Sequence, residues 1–148
     1  MILPYKNFPS CVLAIYSVLR ETEVMTMTQA TIVYALVSDK KLLSYLSKKG
    51  RIVRNVEQLV IDNPDSISNF SSKYISYIPV VFNAIQYLND MDYIDLKEEN
   101  LVLKKKKEIP KPSEIGKSAD KYFKSSKNIS NILSDNISDV FLNLRIEL

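Results

Sequence analysis

The sequence predicts a mainly α fold with one small β-hairpin and a set of C-terminal helices. Two observations carry that expectation. Apolar residues recur at steps of three and four through most of the chain, the period that lines one face of a helix. Only around residues 93–103 does the pattern shorten to β-prone runs. These are Tyr93-Ile94-Asp95-Leu96 and Leu101-Val102-Leu103, set about Glu98-Glu99-Asn100 as a tight connection.

The stretch from Tyr74 to Lys107 organises the rest. Ile75, Ile78, Phe82, Ile85, Leu88 and Met91 are expected to form one continuous apolar stripe on a long helix. Pro79 near its start predicts either a separate helix over 65–78 or a kinked first half. A long helix, then a hairpin, then the lysine run Lys104–Lys107 is a winged-helix-like outline. Residues 1–108 are therefore expected to form a winged-helix-like core. Residues 109–148 are expected to be a helical extension that packs on this core or on a partner. Such an outline gives a fold and not a function.

The remaining elements follow in order. Pro9 suits the first turn of a helix over 8–21, capped by Asn7 or Ser10. Val12, Ile15, Tyr16, Val18 and Leu19 spread apolar surface around most of it, so it is either a buried core helix or one covered by another subunit. Thr26 or Thr28 caps a second helix through Ile32–Val37, and Ser38-Asp39 a third through Leu42–Leu46, stopped by Gly50. A short helix over 54–61 and a turn at Asn63-Pro64-Asp65 lead to the long helix. Pro110 and Pro112 predict an extended connector, and Ser113 with Glu114 restarts a helix. The serines and lysines of 125–128 predict a break, followed by a helix to about 134 and a second short one.

Composition excludes several kinds of chemistry. The 148 residues include two glycines, too few for a phosphate-cradling loop or a dinucleotide fingerprint. There are no histidines, so Ser-His-Asp and Cys-His nucleophilic sites are ruled out, as is the commonest metal ligand. The single cysteine, Cys11, leaves no partner for an internal disulfide and reads as a packing residue. No apolar run is long enough to span a bilayer, and Cys11–Leu19 lacks the flanks of a signal peptide, so a cytoplasmic protein is expected.

The net charge of +3 is unevenly spread: residues 1–60 carry eight basic and four acidic groups, and 61–96 one and five. Residues 97–127 carry ten and five, and 128–148 one and three. Lys104, Lys105, Lys106, Lys107 and Lys111 are candidate contacts to DNA phosphate, where binding would be salt-sensitive and sequence-blind. Equally, they suit a solubilising edge strand. Lys48, Lys49 and Arg51 at the end of the third helix read as dipole compensation or as phosphate contacts. From Tyr74 to Leu96 there is no Lys or Arg, while Asp90, Asp92 and Asp95 crowd the end. Such a helix is repelled by the major groove, so its exposed surface is expected to meet protein. The three aspartates have no motif order for a hard-metal site. No catalytic residue, metal or cofactor is expected.

Taken together, the pieces resemble the middle component of three-component ABC-ATPase (ABC-3C) anti-phage systems, of which Lamassu-type systems are a branch. Asn7-Phe8-Pro9 leading into Val12–Leu19 resembles the family's Asn-Pro opening of an apolar helix. Tyr34-Ala35-Leu36-Val37-Ser38-Asp39-Lys40-Lys41 stands where the family shows a Leu-Pro-Leu-Val-Leu-His-Lys-Pro-like stretch, here without its prolines and histidine. Ile78–Leu103 matches its long middle helix and hairpin. Ala119, Phe123, Ile132, Leu133 and Leu142-Asn143-Leu144-Arg145-Ile146 resemble its closing helices. The resemblance implies a non-catalytic bridging subunit between an SMC-like ATPase and an effector, expected to be a nuclease, with non-specific DNA contact within the complex. Val12, Ile15, Tyr16 and Leu19, with Ile132, Leu133, Phe141 and Leu144, are the candidate partner-binding residues. A free-standing winged-helix transcription regulator is the alternative.

Overall fold

A computed structural model describes residues 7–104 and 116–147. The described residues form eight helices and three strands. The helices are α1 (Phe8–Thr22), α2 (Met27–Val37), α3 (Lys40–Ser47), α4 (Val56–Asp62), α5 (Pro64–Ile67), α6 (Phe70–Asp90), α7 (Gly116–Leu133) and α8 (Ile137–Leu144). The strands are β1 (Val24–Thr26), β2 (Ile94–Lys97) and β3 (Asn100–Leu103). The mainly α expectation is met.

Helix α1 is the centre of the molecule. Every residue from Cys11 to Leu19 is buried, because α7 covers one side and α6 and α2 the others. A helix apolar around its circumference is stable in water only when surrounded in this way. It ends at Glu23, whose φ of 65° is left-handed and whose N–H donates to the Leu19 carbonyl at 2.7 Å. That reversal sends the chain into β1, which the sequence pattern did not reveal.

The three strands form one antiparallel sheet in the order β1-β3-β2. In the hairpin, Leu96 pairs with Leu101 and Lys97 with Asn100, so Glu98-Glu99 is a two-residue connection. On the other edge of β3, Met25 pairs with Leu101. Met25, Ile94 and Leu101 are buried and fasten the sheet to the helical core.

Thr26 then starts α2 with a reciprocal cap. Its hydroxyl accepts from the Gln29 N–H at 3.0 Å, and the Gln29 side-chain oxygen accepts from the Thr26 N–H at 2.9 Å. Asp39 caps α3 by accepting from the N–H groups of Lys41 and Leu42. Gly50 sits at φ 81°, beyond the last turn of α3, in a conformation that few other residues tolerate.

Three expectations are corrected. The separate helix over 65–78 does not form: residues 70–90 are one helix with Pro79 inside it, and the break falls earlier, between α5 and α6. The stripe on α6 also divides. Ile85 and Leu88 face inward with Tyr74, Val81 and Ala84, whereas Ile75 and Phe82 point away from the core. Steps of three and four accumulate angle along a helix, so six such positions drift from one side to the other. Finally, α7 runs unbroken through 125–128. The hydroxyls of Ser125 and Ser126 donate back to the carbonyls of Tyr122 and Phe123, which satisfies them without leaving the helix.

Both sides of the expected boundary near 108 share one hydrophobic core. Ala119, Tyr122, Ile129, Ile132, Val140 and Leu144 belong to the same cluster as α1, α2 and α6. The Pro110–Pro112 connector and the restart at Ser113-Glu114 lie outside the described residues.

Candidate partner-binding surface

The expected docking residues of the first helix are interior. Val12, Ile15, Tyr16 and Leu19 are buried by this chain's own α6, α7 and sheet, so they hold the fold together and present nothing outside. Tyr16 meets Tyr93 edge to face, with ring centroids 6.1 Å apart. Ile132, Leu133 and Leu144 are likewise buried. Phe141 is half-buried, its ring edge-on to Tyr74 at 5.7 Å. Apolar spacing alone marks a face as apolar; it does not say which neighbour covers it.

The exposed apolar groups lie elsewhere. On α6, Ile75 is 46% and Phe82 51% exposed, with half-buried Ile78 between them. Gln86 and Asp90 continue the same line toward the end of the helix, and the Gln86 amide donates to the Asp90 carboxylate at 2.9 Å. A second group is on α4 and α8, which pack together: Ile61 is 74% and Leu142 76% exposed. On both of these short helices the inward positions are filled by other residues, Val56 and Leu59 on α4, Val140 and Leu144 on α8.

Just beyond α6, the acidic cluster resolves into a structural ion-pair group. The Lys104 ammonium lies 2.8 Å from a carboxylate oxygen of Asp92 and 3.1 Å from one of Asp95. Hydrogen bonds that the Lys104 ammonium donates to Asp92 and then to Asp95 hold its pKa above the ordinary value. Lys104 therefore closes the hairpin onto the end of α6 and is already engaged by carboxylates, which compete with any phosphate. Lys105, Lys106, Lys107 and Lys111 lie outside the described residues. Among the described residues, no group of three or more acidic or thiol ligands is arranged to hold a metal.

A polar cleft of about 290 Å³ opens where α3 meets α5 and α6, lined by Asp39, Lys40, Asp65 and Lys73 among others. Asp39 spends one oxygen on the α3 cap and the other on Lys73, at 3.1 Å. Burial pushes its carboxyl pKa up, but the Leu42 N–H, the Lys73 ammonium and the Lys41 N–H outweigh this and hold it below the usual range. The Asp39–Lys73 pair thus fastens α6 to the start of α3. Arg51 stacks over the Tyr45 ring at 4.1 Å, and the Tyr45 hydroxyl donates to Asp62, so this part of the basic cluster also serves the fold. Cys11 is buried, and desolvation pushes its thiol far above the usual range, which leaves it unreactive.

Sequence reasoning missed a polar seam on α7. Asn128, itself buried, donates to the carbonyls of Leu46 (2.8 Å) and Arg51 (3.1 Å) and accepts from the Val53 N–H at 2.9 Å. Asn131 donates to the Val53 carbonyl, and Asp135 accepts from the Val56 N–H. Asn128 and Asn131 stand three apart on one face of α7 and Asp135 follows just beyond its end, and that spacing was the available signal.

The fold and its surface define a mainly helical protein with apolar side chains left outside on its longest helix and on a short helix pair. Among the described residues no helix is long and apolar enough to cross a membrane. Residues 11–148 match the family described as ABC-three component (ABC-3C) system Middle Component 3, and the chain belongs to that family. Membership of a multi-component system implies partner subunits. No curated protein and no solved structure matches the chain.

Proposed function

We propose that the chain is a non-catalytic bridging subunit of a bacterial anti-phage defence complex, one that joins an SMC-like ABC ATPase to an effector, most simply a nuclease. The exposed apolar line on α6 carries this reading. Large apolar side chains on the outside of a long helix lose hydrophobic stabilisation until a partner covers them. The separate group at Ile61 and Leu142 gives the bridge a second place to make contact.

An elaborated winged helix is the fold we assign to this bridge. The succession α1, β1, α2, α6, β2, β3 with sheet order β1-β3-β2 supports it, with α3, α4 and α5 inserted before the long helix. In this reading α6 occupies the place of a recognition helix but presents Ile75, Phe82 and Asp90 on its outward line, with no Lys or Arg from Tyr74 to its end to meet phosphate or base edges. A role in contact with DNA held by the ATPase falls instead to Lys105–Lys107 and Lys111.

Co-expression with the products of the neighbouring genes tests the proposal. An affinity-tagged chain is expected to bring down an ATPase with a long coiled coil in fixed ratio. Failure to recover such an ATPase, together with tight, salt-sensitive binding of the isolated chain to random duplex DNA, would favour a transcription regulator.

A further inference from the structure

We infer that the outward face of α6 seats an amphipathic helix of one partner subunit, apolar along its centre and basic beside the C-terminal end of α6. The inference rests on the bridging reading above and names the chemistry of one contact. Ile75, Ile78 and Phe82 stand at steps of three and four, and Gln86 and Asp90 extend the line by four each. From Ile75 to Asp90 the line is roughly 22 Å long, about four turns, the scale on which one helix packs its ridges into another.

Charge selects the occupant. Between Tyr74 and Leu96 there is no Lys or Arg, although the whole chain carries +3. Asp90 ends the line, and Asp92 and Asp95 follow it with Lys104 as their common cation. A second copy of the same face would bring no cation to Asp90, and nucleic acid or an anionic lipid surface would find no Lys or Arg along the line from Ile75 to Asp90. A Lys- or Arg-flanked apolar helix complements both halves: leucine- or isoleucine-like residues on Ile75, Ile78 and Phe82, and a cation near Asp90.

The test uses the co-expressed complex with a photo-crosslinking phenylalanine derivative at position 82, and a control derivative at the exposed position 127 on α7, outside both apolar groups. Position 82 is expected to crosslink to a Lys- or Arg-bearing helix of another subunit. Phe82→Ser is expected to weaken assembly about tenfold or more, to be matched by Ile75→Ser, and to leave the thermal midpoint of the isolated chain unchanged. Asp90→Asn should remove part of the salt dependence of assembly. If the complex forms while position 82 crosslinks nowhere, to a second copy of this chain or to DNA, this seat is overturned and the bridging reading stands. If no complex forms with any subunit, both fall.

Discussion

Asn128 shows how one side chain organises a neighbourhood. Its amide satisfies the Leu46 carbonyl in the last turn of α3, and one carbonyl and one N–H of the segment between α3 and α4, which has no helix or strand of its own to supply them. Asn128→Ala strands three backbone groups, and at about 1–3 kcal/mol for each buried group left unpaired, softened by water, it is expected to cost about 2–4 kcal/mol. Asn128→Asp keeps the acceptor for Val53 but loses both donors, so it should be at least as damaging. Urea unfolding of both variants measures this; values near zero would show that the segment is held by other contacts.

Asp39 works at the same scale, through charge. Its folded pKa lies below the ordinary value, so its contribution is fully present above the unfolded value of about 3.9 and is lost as pH falls through the folded value. The thermal midpoint should therefore decline on acidification below that range. Lys73→Met, which keeps the stem and removes the ammonium, should weaken that decline, because one of the groups lowering the pKa has gone. An unchanged pH profile would assign the acid sensitivity to other carboxylates.

At the scale of the element, α6 is long enough to hold its imperfection. Pro79 supplies no N–H and leaves the Ile75 carbonyl without its helical partner, yet the helix continues because its inward residues are locked in the core. Pro79→Ala restores that bond at an exposed position. It is expected to stabilise the protein by about 2 kcal/mol, or roughly 4–8 °C in midpoint, as calorimetry would show. No gain would mean that the proline is accommodated without loss.

Most helices were legible because each carries its own signals. Pro9, Asp39 and the Asn63-Pro64 turn mark starts that the structure places within a residue or two. Strand β1 was not legible, since three residues are too few to show a period and its pairing with β3 is decided across the fold. The continuity of α7 was hidden for a related reason: Ser125, Ser126 and Asn128 look like a break until their hydrogen-bond partners are known. The candidate surface was the least legible. Val12 and Phe82 both sit on apolar helical faces in the sequence, and only assembly of the core covers one and leaves the other outside.

Across the whole molecule, a single hydrophobic core runs from α1 to α8, with α1 at its centre. The inward residues of α6 are buried in this core and the Lys104 ion pairs join the hairpin to its end, so the outward line of that helix sits on a packed support. A rigid surface loses little freedom when a partner arrives, which favours tight association for a modest area. This is the property a bridging subunit needs.

Native mass spectrometry of the ATPase and effector, mixed with and without this chain, tests the bridge most directly. The account predicts that ATPase and effector appear in one particle only when the chain is present. A particle holding both in its absence, or a chain that remains a free monomer beside them, would contradict it.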